Sequence, residues 1–160
     1  MKRVLDPVER VSEVIFGVLM AMTFIGALNV AEAGDGEVRK VLVAALGCNI
    51  AWGLADAVMY VVAMLTERTR EGTRLTFDDY WGAVGVFLLV TLSTFPLVVP
   101  FLIFGELGRA LLASRLVALA MLFLGGWVLA RHAGGKPWRW GSGLAVVGAV
   151  LIAAIMALGG

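Results

Sequence analysis

Long apolar runs decide what this chain can become. A helix crossing the hydrocarbon of a bilayer needs about 20 mostly apolar residues at 1.5 Å rise each. Five stretches satisfy that requirement, at about residues 13–33, 41–64, 82–104, 112–131 and 141–158. None alternates in steps of two as a barrel strand does, so the pattern predicts an all-α membrane protein of five transmembrane helices. The connections are short and carry no linker, so residues 1–160 read as one transmembrane domain. Composition agrees, with 61% hydrophobic and 16% charged residues, against about 45–50% and about 25% in soluble domains.

The same composition excludes several function classes. A net charge of +1 supplies no basic face for nucleic acid. Cys48 is the sole cysteine and His132 the sole histidine, so neither an intrachain disulfide nor a histidine-built zinc site is expected. No Ser/His pair, paired intramembrane aspartates or HExxH motif is present, and an enzyme is not expected. The opening MKRVLDPVER interrupts its basic residues with Asp6, Pro7 and Glu9. Ala31-Glu32-Ala33 has the pattern of a cleavage site, but the run before it is long for a signal peptide, so cleavage is not expected.

Basic residues fix the expected orientation. Lys2, Arg3, Arg10, Arg68, Arg70, Arg74, Arg131, Lys136 and Arg139 fall on one side, against Arg39, Lys40, Arg109 and Arg115 on the other. The positive-inside rule then places the N-terminus in the cytoplasm and the C-terminus outside. Trp81, Trp138 and Trp140 fall at cytoplasmic helix ends, where an aromatic belt is expected. Many of the twenty glycines sit at close spacing inside or beside the spans, which lets helix backbones approach in lipid. Pro96 and Pro100 interrupt span three, and each removes a backbone donor. The interruption serves either as a packing kink or as a source of carbonyls lining a wet cavity.

Against this apolar background a few polar side chains stand out. Asn49 and Asp56, in NIAWGLADAVMY, lie seven residues apart within about 20° on one helix face, with Met59 on the next turn. An ionised carboxylate at mid-bilayer costs roughly 2.5–3.5 kcal/mol on insertion scales, so such acids mark ion paths or proton relays by default. A hydrogen bond across a helix interface is the structural alternative for both residues. In span one, Glu9 and Glu13 share a face at spacing four, and Met20 lies within about 40° of both. Solvated acids favoured by the helix macrodipole are the plainer reading of that pair. Oxygen ligands with a thioether suit a cation of intermediate softness such as Fe(II) or Mn(II); Mg and Ca prefer all-oxygen shells.

Glu9, Glu13, Gly17, Val18 and Thr23, in the run E-x-x-x-E-x-x-x-G-V-x-x-x-x-T, resemble the first helix of the vacuolar iron transporter family, five-helix carriers of Fe(II) and Mn(II). The stretch LFLGGWVLARHAGGKPWRWGSGLAVVGAVLIAAIMALGG is similar to its fourth helix, basic loop and glycine-spaced fifth helix. FPLVVPF resembles its Pro-Leu-Leu-Pro turn with one residue more between the prolines. The resemblance implies a homodimer whose first two helices line a metal path, exchanging cytoplasmic metal for protons. It implies metal as transported cargo, no permanently bound cofactor, and metal contacts at Glu9 and Glu13. The chain departs from the family at Met20 and Asn49, which stand where the family has acids, and at Ala57, which stands where it has a methionine. Asp56 and Met59 supply the same two side-chain types, so the acid and the thioether have exchanged helices in this comparison. The family's cytosolic metal-collecting domain is replaced by TERTREGTRLTFDDYWG, where Glu67 and Glu71 are expected to pair with Arg68, Arg70 and Arg74.

The expected metal contacts are therefore Glu9, Glu13, Met20, Asn49, Asp56 and Met59. The expected setting is a multi-pass protein of a bacterial inner (plasma) membrane. A non-transporting membrane scaffold, or a carrier of another cation or small solute, are the rival functions.

Overall fold

A computed structural model describes residues 6–26 and 35–158. Six helices follow in order: α1 (Pro7–Gly26), α2 (Asp35–Arg70), α3 (Phe77–Leu92), α4 (Phe95–Ile103), α5 (Leu107–Ala133) and α6 (Pro137–Ala157). No strand occurs among the described residues. Taking α3 and α4 as one segment, four helices are long and apolar enough to cross a membrane: Val38–Arg70, Phe77–Ile103, Leu107–Ala133 and Pro137–Ala157. The protein is thus an all-helical, multi-pass membrane protein in architecture. The first expected span differs from the other four. The helix starts at Pro7 and takes Glu9, Arg10 and Glu13 into its first two turns, and that charge keeps it off the apolar set. Residues 27–33 of that span, Lys2, Arg3 and the Ala31-Glu32-Ala33 triplet lie outside the described residues.

Sequence chemistry sets the helix ends. Asp6 precedes Pro7, and its Oδ1 accepts the Val8 amide at 3.0 Å while Glu9 Oε2 accepts the Asp6 amide at 3.1 Å. That reciprocal pair is a capping box, with proline at the first helical position where its missing N–H costs nothing. Helix α3 opens the same way at Thr76, whose amide and hydroxyl both donate to Asp79 Oδ2. Asp79 also receives Arg68 Nη2 at 3.0 Å. Arg68 therefore ties the end of α2 to the start of α3, not to Glu67 or Glu71 as the sequence leads one to expect. Asp79 is pre-oriented by Thr76, which lowers the entropy lost on pairing.

The expected proline interruption is real but displaced. Helix α3 ends at Leu92 and α4 begins at Phe95, with Ser93 and Thr94 between them. Pro96 falls in the first turn of α4, where no N–H is needed, and the helix continues through Pro100. A single step before Pro96 thus divides the segment.

Helix α1 is the hub, packed against α2, α3, α5 and α6, and it buries Gly17, Val18, Ala21, Met22 and Ile25. Helices α5 and α6 form an antiparallel pair in which a Cβ on Gly126 would stand 2.6 Å from the Trp140 carbonyl oxygen. Only glycine permits that approach, so this pair is held by backbone proximity. Gly143 faces open space and packs on nothing. Trp138 closes the basic end of the pair in an aromatic group with Phe123 and Trp127. Ser114 Oγ donates to the Leu97 carbonyl at 2.8 Å and fastens α5 to α4.

Candidate functional site on the α1–α2 seam

Helix α2 buries one narrow stripe, Ala45, Asn49, Gly53 and Ala57, at spacing four. Everything else on its apolar length faces outward or lies half-buried. That stripe is where α2 meets α1 and α3. A Cβ on Gly53 would come within 3.0 Å of the Phe87 carbonyl, so α3 passes close to α2 there.

At the deepest point, Asn49 is fully buried and joins three elements. Its Nδ2 donates to the Gly17 carbonyl on α1 at 3.0 Å and to Thr94 Oγ1 at the α3–α4 step. Gly17 permits this, because a Cβ there would collide with Ser93 Oγ and stand 2.7 Å from the Val90 carbonyl. The Asn49 donors are therefore satisfied, whereas Oδ1 is buried without a hydrogen-bond partner, as is Thr91 Oγ1. The interhelical hydrogen bond that the sequence leaves open for Asn49 is present.

Two turns further along α2, Asp56 is half-buried and its Oδ2 is enclosed without a partner. Glu13, half-buried on α1, lies within electrostatic reach of both Asp56 and Glu9. The ion pairs among the described residues are Arg68–Asp79 and Arg109–Glu106, so none of these three acids is paired with a described cationic side chain. Phe16 and Trp52, edge to face at 5.8 Å, close the seam one turn deeper. Met20 is half-buried one turn beyond Phe16 on α1.

The six expected contacts thus separate by place. Glu13 and Asp56 lie within electrostatic reach of each other across the seam, with Glu9 at its mouth and Met20 deeper on α1. Asn49 is turned inward and Met59, 63% exposed, projects outward. Ala57 is buried. Among the described residues, no three His, Cys, Asp or Glu side chains are placed to hold a metal ion together.

Sequence reasoning missed two roles. Glu9 caps α1, and the signal for it, Asp6-Pro7-Val8-Glu9, is a readable capping box. Thr94 holds Asn49, and no local pattern announces it, because the pairing depends on the register of three helices. No protein-family model matches the chain, and no curated protein matches it either.

Proposed function

We propose that the protein carries divalent metal, Fe(II) or Mn(II), out of the cytoplasm in exchange for protons, along the α1–α2 seam covered by a second copy of the chain. The observation that carries this reading is that Glu13 and Asp56, on two helices, lie within electrostatic reach of each other and form no ion pair among the described residues. Two like charges at that depth are costly when both are ionised. A proton on one acid or a divalent cation between them relieves the repulsion, and the two ligands exclude each other. Metal binding needs deprotonated oxygens and releases their protons, which is the chemistry of an exchanger.

The proposed direction of travel follows the basic residues, which put Glu9 at a cytoplasmic entrance and Asp56 at a deeper station. The second copy supplies the ligands that one chain lacks, with Met20 and the outward-facing Met59 as the thioethers available to a shared shell.

The test is metal flux into liposomes under an imposed pH gradient, comparing Fe(II), Mn(II), Co(II) and Zn(II). Fe(II) and Mn(II) are expected to move with counterflow of protons. Asp56→Asn is expected to abolish metal-driven proton flux while the dimer persists. Retained antiport in that variant removes Asp56 from the path, and no flux of any metal in the native chain removes transport altogether.

A membrane scaffold is the second reading, and the satisfied Asn49 donors favour it, since they make that residue a helix fastener. Metal-dependent thermal stabilisation separates the two, because only a ligand of the folded state raises its stability.

A further inference from the structure

A groove of about 360 Å³ lies away from the seam, between the first turns of the apolar part of α2 and helix α4. Arg39, Leu42 and Leu46 line one wall, and Phe95, Val98 and Leu102 line the other. Each set is a helical stripe, at spacings of three, four or seven. The two helices run antiparallel, so Arg39 and Leu102 share the mouth while Leu46 and Phe95 share the floor beside the Ser93–Thr94 step. At 1.5 Å per residue the groove runs roughly 10 Å along α2. Apart from Arg39 its lining is wholly apolar.

We propose that this groove is a lipid site, taking one acyl chain of a phospholipid with an anionic headgroup whose phosphate sits on Arg39. Two features favour that occupant. The groove opens toward the hydrocarbon, with Leu102 78% exposed at its lip. Its one charged lining residue stands at the mouth, beside Val38 where the apolar part of α2 begins, and its charge is complementary to a phosphate. The site is independent of the transport reading, since it shares no residue with the seam.

Native mass spectrometry of the detergent-purified protein, titrated with phosphatidylglycerol or phosphatidylcholine, reads both occupancy and preference. The native chain is expected to hold phosphatidylglycerol about fivefold more tightly, the size of one basic residue near a membrane surface. Arg39→Ala is expected to erase the preference and keep the weaker binding common to both lipids. Arg109→Ala, at the same end of the bundle, is expected to keep the preference. Val98→Trp fills the groove and is expected to remove one bound lipid of either kind. Leu102→Trp at the exposed lip does the same with less demand on folding. An unchanged preference in Arg39→Ala overturns the phosphate contact, and unchanged lipid counts in both tryptophan variants overturn the groove. Loss of an oligomer in those variants also overturns it, by making the groove a contact between chains.

Discussion

The α5–α6 pair and the α1–α2 seam solve the same problem with opposite means. Lipid offers no hydrophobic drive between helices, so each pair needs another source of attraction. Helices α5 and α6 use proximity, with Gly126 against the Trp140 carbonyl and Gly148 against Leu122. Helices α1 and α2 use polar fastening, with Asn49 on the Gly17 carbonyl and an aromatic edge contact beside it. The first arrangement tolerates no added atom and carries no acid at the contact. The second carries three acids that form no ion pair with a described residue.

Substitutions can break that contrast. The largest effect is expected at Gly126→Leu, which drives a side chain into the Trp140 backbone. Overpacking costs about 1–3 kcal/mol and occasionally more, and rigid backbone belongs at the upper end. The thermal midpoint in detergent should fall sharply, and a small fall would show that α5 and α6 do not depend on closeness. A middling effect is expected at Asn49→Leu, which deletes both fastening bonds but also removes the orphaned Oδ1. Intramembrane hydrogen bonds average about 0.6 kcal/mol and reach about 1.7, so a loss near 1 kcal/mol is expected by reversible unfolding. A neutral result would return Asn49 to the list of ligands.

The smallest effect sharpens the role of Glu9. Glutamine serves a capping box as well as glutamate does, so Glu9→Gln should leave stability within about 0.5 kcal/mol, whereas Glu9→Ala should cost about 1 kcal/mol. If the glutamine variant also keeps metal flux, Glu9 caps the helix and does nothing else. If flux falls while the thermal midpoint holds, its charge serves the entrance as well.

Much of the fold could be read from the chain. Helix existence follows from apolar runs near twenty residues, and four of the five expected spans appear with their centres in place. Helix ends were harder, because polar residues that look like loop continue a helix when they cap it or extend it. Asp6 and Glu9 do the first, and the turns from Thr66 to Arg70 do the second. The site was half legible. Seven-residue spacing put Asn49 and Asp56 on one side of α2, but 20° of rotation and two turns of depth give them different neighbours. Whether a side chain there meets a carbonyl, another acid or lipid is decided by the partner helix, about which local sequence is silent.

Helix α2 has a mechanical consequence. It is pinned at Asn49 to α1 and the α3–α4 step, and again at Arg68 to the start of α3. Those pins stand roughly 28 Å apart along the axis. Between them lies Asp56, on a beam clamped at both ends and unable to roll without shearing one clamp. Under the proposed exchange, gating at this acid therefore comes from what slides across it.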